Sequence, residues 1–214
     1  MFIEMIDLLR CVNDHEDSWL VASFRSMTNR IVMEGTLGCP ICSAEYGIVN
    51  GVADFTLGEA APSLDKERAI AAHEREDHAS RAGAYLDATQ PGGTIVLGGL
   101  WAHAAQDLAD MADVRVIAIN PPSDVKESER VGLVRVGSRI PLAANSVHGV
   151  ALDAWFSPEI VRAAIRPIKP GGRLVGPASL THPSEVTVLA HDDAYWVAEK
   201  PMETVSISRS KPVF

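Results

Sequence analysis

The sequence predicts an α/β protein, a parallel sheet flanked by helices, preceded by a small β-rich module that holds every cysteine. Three observations lead there. Beyond residue 63, predominantly apolar runs at residues 94–97 and 114–119 alternate with helix-patterned segments, as expected of strands buried on both faces. Before residue 57, runs rich in β-branched and aromatic residues, separated by turn residues, read as antiparallel hairpins. The three cysteines, Cys11, Cys39 and Cys42, all fall in that first part, the last two in Cys39-Pro40-Ile41-Cys42.

Taken in order, Phe2, Met5, Ile6 and Leu9 have helical spacing and lead directly into Cys11. Residues 19–27 and 30–37 form two strands around a turn at Thr28-Asn29. After Gly38-Cys39-Pro40, residues 44–49 and 52–55 form a hairpin, with Asn50-Gly51 as its two-residue turn. This module, residues 1–57, is too small to rely on its own core and calls for a staple.

The cysteines supply one. Thiolates are soft ligands, and a Cys-x-x-Cys turn lets two sulfurs face one ion, so two knuckles separated by a β-rich stretch predict a structural zinc. The fourth ligand is Asp14, at Cys-x-x-Cys spacing from Cys11, or His15, one residue further. His15 is the better choice, because imidazole is the commoner partner of three thiolates. The alternatives are a redox pair at Cys39 and Cys42, or apolar buried cysteines; the strand-like flanks argue against a redox motif.

Residues 58–62 read as a linker to a second domain, residues 63–214. Ser63 caps a helix that runs to Leu86 and is stopped by Pro91-Gly92-Gly93. Strands follow at 94–97, 114–119, 132–136, 149–152 and 173–175, with helices at 102–111 and 159–165. A closing pair of strands is expected over 194–210, around Lys200-Pro201. Between residues 119 and 132 there is room for a short helix or none, so the wall of any pocket there is predicted to be shallow and wet.

With 28 acidic and 19 basic residues the net charge is −9, which argues against general nucleic-acid binding. No apolar run approaches the ~18 residues of a membrane span, and the first residues lack a basic leader, so no membrane association is expected. Three cysteines are too few for a disulfide scaffold, and a cytoplasmic protein is the expectation.

Two segments resemble class I S-adenosylmethionine-dependent methyltransferases. Residues 163–175 carry Ile168-Lys169-Pro170-Gly171-Gly172-Arg173-Leu174-Val175, similar to the family's helix-to-fifth-strand turn. Ile140-Pro141-Leu142 with Ser146-Val147-His148-Gly149-Val150 is similar to its approach to strand four. The resemblance implies a Rossmann-like methyltransferase sheet, shortened here, with S-adenosylmethionine as cofactor. The cofactor-binding positions it implies are Gly98, Gly99 and Asn120. At these the chain departs from the family: Val96-Leu97-Gly98-Gly99-Leu100-Trp101 lacks the acid and the third glycine, and Asn120 stands where a carboxylate would accept from the ribose. The glycine pair read by itself gives only a tight strand-to-helix turn. Tyr46 to Phe55 resembles the small zinc-ribbon activator subunits of some methyltransferases, which implies a ribbon and a methyltransferase-like domain fused in one chain.

The catalytic candidate is Asp153, after the fourth parallel strand, as base or orienter, with Trp155 stacking on a flat substrate. Competing with that, Ser157 and Pro158 read as a helix cap and first turn, and Trp155 as core or interface. His103 either faces a ligand or begins a helix. The functional expectation is a methyltransferase-like scaffold or assembly subunit with an eroded cofactor site, in contact with a protein partner or a second copy. The alternative is an active methyltransferase on an unidentified substrate. A weaker possibility is another nucleotide or small metabolite at the Gly98-Gly99 turn.

Overall fold

The structure is a computed structural model that describes residues 1–59, 72–89 and 91–202. The expected helix cap at Ser63 and the tail beyond residue 202 lie outside the described residues. The strands are β1 (Val21–Thr28), β2 (Ile31–Gly38), β3 (Glu45–Val49), β4 (Val52–Phe55), β5 (Thr94–Gly98), β6 (Arg115–Ile119), β7 (Val131–Val136), β8 (Val147–Ala151), β9 (Ile168–Pro177), β10 (Thr187–His191) and β11 (Tyr195–Glu199). The α-helices are α1 (Ala72–Leu86), α2 (Ala105–Ala112) and α3 (Pro158–Ala163).

Among the described residues these strands form one sheet in the order β1-β2-β3-β4-β7-β6-β5-β8-β9-β11-β10. Strands β7, β6, β5, β8 and β9 are parallel, and the order reverses direction between β5 and β8, as in a doubly wound Rossmann-like sheet. The expected α/β fold is therefore present, and β11 closes it antiparallel to β9. The N-terminal strands are antiparallel to one another, but β4 runs parallel to β7, with Val52 opposite Leu133 and Phe55 opposite Val136. One sheet thus joins the β-rich module to the parallel strands.

Alternation along the strands divides the core in two. Ile95, Leu97, Val116 and Ala118 pack under α1 and α2, against Leu86 and Leu108. Val96, Ile117, Ile119 and Val150 face the other way, toward Phe2, Met5, Leu9 and the α3 residues Ile160 and Val161. No helix joins β6 to β7, as the short connection predicts, and none joins β7 to β8. On the second face the N-terminal segment takes over: a 3₁₀ stretch, Ile3–Leu8, replaces the helix expected there and lies over β7. A Cβ at Gly132 would stand 2.3 Å from Met5 Sδ and 3.1 Å from the Phe2 ring, so glycine admits this close approach.

Several local expectations are corrected or refined. The second half of the closing pair expected over 194–210 lies outside the described residues; among the described residues β11 pairs with β10 through a turn at Asp192–Ala194, where Asp192 Oδ1 accepts the N–H of Ala194 at 2.8 Å and of Tyr195 at 2.6 Å. The helix after β5 starts as a 3₁₀ turn, Gly99–Ala104, before α2. Ser157 caps α3 with Pro158 in its first turn, as the local pattern predicts, accepting from Ile160 N at 3.4 Å. Lys169-Pro170-Gly171-Gly172 forms an irregularity in the β8–β9 pairing, where Gly171 takes φ +79° and a Cβ on Gly172 would meet the His148 carbonyl at 2.4 Å.

Candidate metal centre and cofactor edge

The second knuckle is a closed turn. Cys39 N–H donates to Ala44 O at 2.8 Å and Ser43 N–H to Cys39 O at 3.0 Å, with Ser43 left-handed at φ 59°. The first knuckle follows the Phe2–Arg10 segment, which Arg10 N–H pins to Pro141 O at 2.9 Å. Together they bring Cys11 Sγ, His15 Nε2, Cys39 Sγ and Cys42 Sγ within 4.8 Å of one another. Cys11 and Cys42 sulfurs are 3.6 Å apart, and His15 Nε2 lies 3.1 Å from Cys11 Sγ and 3.4 Å from Cys39 Sγ. A tetrahedral zinc with ordinary Zn–S and Zn–N lengths has ligand–ligand edges of about 3.4–3.8 Å. The donor set and its spacing therefore fit a closed structural zinc.

Asp14 is not in this group: its side chain is 97% exposed, with Arg139 3.9 Å away. His15 Nδ1 sits 2.6 Å from Glu16 O, which fixes the proton there and leaves Nε2 aimed at the sulfurs. The electrostatics favour thiolate at Cys42 and Cys39. The Ala44 N–H and then the Asn13 carboxamide hold the Cys42 thiol down at about 6. Burial pushes Cys39 up, but backbone N–H groups of Cys42 and Ile41 help carry it below its ordinary value. Burial leaves Cys11 raised, against hydrogen bonds from Tyr46 and Asn13. The sulfurs are all free thiols, which agrees with the small cysteine count.

At the carboxyl edge of the parallel sheet Asp153 lies against Gly99, while Asn120 is engaged with Val136. Gly98 and Gly99 leave β5, Gly99 at φ +63°, and the turn after β8 fills the space above them. A Cβ on Gly98 would stand 2.5 Å from Leu152 Cδ2 and 2.8 Å from the Phe156 ring; one on Gly99 would stand 2.2 Å from Asp153 Oδ2. Asp153, 3% exposed, accepts Leu100 N–H on Oδ2 at 2.5 Å and Trp155 N–H on Oδ1 at 3.0 Å. Asn120 is buried at the end of β6. Its Nδ2 donates to Val136 O at 3.0 Å and its Oδ1 accepts Val136 N–H at 2.8 Å.

Trp101 is buried, its ring 4.8 Å from Tyr195 and 6.3 Å from Tyr85, so it fills core rather than facing a ligand. His103 is also buried, with Nδ1 3.4 Å from Asp124 Oδ2, and lies in the last turn of the 3₁₀ stretch that leads into α2. Trp155, by contrast, is 56% exposed. Two residues around the metal cluster went unread as functional. Tyr46 and Asn13 both reach its sulfurs, and the only signals were the inward position of Tyr46 in β3 and the place of Asn13 inside the first knuckle.

No family profile and no curated protein matches the chain. Among solved structures, MycE methyltransferase from mycinamycin biosynthesis, in complex with magnesium, S-adenosylhomocysteine and mycinamycin VI, is similar over 64% of this chain and 52% of its own, at 8% identity and TM-score 0.45. The [4+2]-cyclase SpnF is similar over 54% and 49%, at 18% identity and TM-score 0.40. A phosphoethanolamine N-methyltransferase of Haemonchus contortus, holding S-adenosylhomocysteine, is similar over 49% and 28%, at 15% identity and TM-score 0.40. The chain spans about half the length of these proteins or less, and the likeness is partial and concerns the fold alone.

Proposed function

We propose that this chain is a zinc-stapled, methyltransferase-like protein that acts as a scaffold or assembly subunit and does not hold S-adenosylmethionine at the Gly98-Gly99 turn. The observation that carries this reading is the Asp153 carboxylate seated against Gly99, already accepting the Leu100 N–H. A cofactor's methionine end needs that volume and that backbone donor, and the Asp153 side chain already takes both. Asn120 supports the same reading. Both functions of its amide are taken by Val136, so a ribose would have to compete with two buried hydrogen bonds.

Zinc would be held by Cys11, His15, Cys39 and Cys42, where a fully protein-ligated site stabilises and leaves no open position for chemistry. Free thiols at such a site suit a reducing, cytoplasmic setting. Among the described residues no helix is long and apolar enough to cross a membrane. A protein partner or a second copy is the expected contact, through the ribbon and through β1 and β10, the outermost strands among the described residues. The fused-activator arrangement is part of the same proposal and rests on the Tyr46–Phe55 stack and the knuckles beside it.

Calorimetric titration of the zinc-loaded protein with S-adenosylmethionine and S-adenosylhomocysteine tests the cofactor half. No saturable heat at millimolar ligand is expected. Binding tighter than about 100 μM, roughly 5.5 kcal/mol, would overturn it in favour of an active methyltransferase. Metal analysis after chelator-free purification tests the staple, with close to one zinc per chain expected.

A further inference from the structure

We infer that Tyr46 and Asn13 are positioning residues of the metal centre, each donating a hydrogen bond to one ligand sulfur. The inference rests on the proposed zinc staple and concerns what holds its thiolates in place. Three thiolates and one divalent cation leave a net negative charge at a site that is partly buried. Neighbouring N–H and O–H donors are the ordinary means of spreading such charge and fixing ligand direction.

The donor directions follow from connectivity. Tyr46 Oη lies 3.0 Å from Cys11 Sγ and accepts the Val12 N–H at 3.2 Å. A metal-bound thiolate carries no proton, so the hydroxyl hydrogen of Tyr46 points at the sulfur. The ring is held from behind: Tyr46 is 1% exposed and stacks on Phe55 at 4.4 Å between centroids. The hydroxyl is therefore positioned by the core of the module, not by solvent.

Asn13 works from the opposite side. Its Nδ2 donates to Cys42 Sγ at 3.2 Å and its backbone N–H faces Cys11 Sγ at 3.4 Å. One residue inside the first knuckle thus touches a sulfur of each knuckle and ties the two across the ion. Among the described residues, Cys11 Sγ and Val12 N are the hydrogen-bond partners of the buried Tyr46 hydroxyl.

Removing the outer partner of a metal ligand typically costs about 10–100-fold in metal affinity. Tyr46→Phe keeps the ring stack and deletes only the donor. It is expected to weaken zinc binding by about 10-fold or more in a competition titration with a chromophoric chelator. In the Co²⁺-loaded protein it should move the sulfur-to-cobalt charge-transfer band to lower energy, because a thiolate that loses a hydrogen bond becomes the better electron donor. Asn13→Ala, on a half-exposed turn where folding is not at risk, should do the same to a smaller degree. Unchanged affinity and an unchanged cobalt spectrum in both variants would overturn the inference while leaving the zinc site intact. Failure of the wild-type chain to bind zinc or cobalt would instead overturn the staple itself.

Discussion

Asn120 shows how much one residue's meaning depends on its surroundings. The family resemblance implies a ribose-binding carboxylate at this position. In the structure its φ is 45°, its N–H donates to Val134 O at 2.8 Å, and its amide closes on Val136. Asparagine tolerates the left-handed conformation and offers both a donor and an acceptor, so the residue type suits this backbone lock. Asn120→Ala should leave the Val136 N–H and C=O unpaired in a buried position and strain the turn. A loss of about 2–4 kcal/mol in urea unfolding is expected. A loss under about 0.5 kcal/mol would mean the amide contributes nothing there. Asp153 carries the same lesson. Its position after β8 was legible, but its orientation toward Gly99 was set by tertiary packing that no local pattern encodes.

Among elements, the strands were legible where the pattern was unambiguous. The predominantly apolar runs of β5 and β6 and the Asn50-Gly51 hairpin announce themselves, because burial on two faces and positive φ both select residue type. The β10–β11 hairpin was not legible, because its turn is made by the short-range side-chain bonds of Asp192 and carries no glycine or proline to mark it. That residues 1–9 would serve in place of a missing helix could not be read locally, since the partner surface at Gly132 is more than a hundred residues away. His148 joins three elements in a similar way. Its Nδ1 accepts the Thr94 N–H at 3.2 Å at the start of β5, and its Nε2 is 3.3 Å from Lys169 Nζ on β9. Burial first, and then the Lys169 ammonium, hold its pKa below the ordinary 6.5. The unfolded chain therefore takes up this proton more readily than the folded one. The contribution to stability is complete above pH 6.5 and is lost as pH falls through that value toward the folded pKa. Urea midpoints measured from pH 8 to 5 should decline, and the decline between pH 6.5 and 5 should be shallower in His148→Gln; an identical decline would discount His148.

At the scale of the molecule, the question is whether the module and the parallel sheet unfold together. Strand β4 is hydrogen-bonded to β7 throughout its length, and one apolar core contains Tyr46, Phe55, Phe2, Met5 and Val134. The segment that covers β7 ends at Cys11, so the metal-binding knuckle is also the anchor of that cover, with Leu8 O accepting the Ala143 N–H at 2.8 Å. Bound zinc at about a thousand times its dissociation constant adds roughly 4 kcal/mol to any state that needs the site formed. If the sheet is one cooperative unit, that energy belongs to the whole chain. Thermal melts should then show a single transition that moves down as one after chelation. Single-tryptophan variants retaining Trp19, beside the first knuckle, or Trp196, buried near the far sheet edge, should report the same midpoint with and without metal. A chelated protein in which the Trp19 signal melts early while Trp196 keeps its metal-loaded midpoint would show instead that the ribbon folds on its own. The shared sheet would then be a docking contact between two independently stable parts.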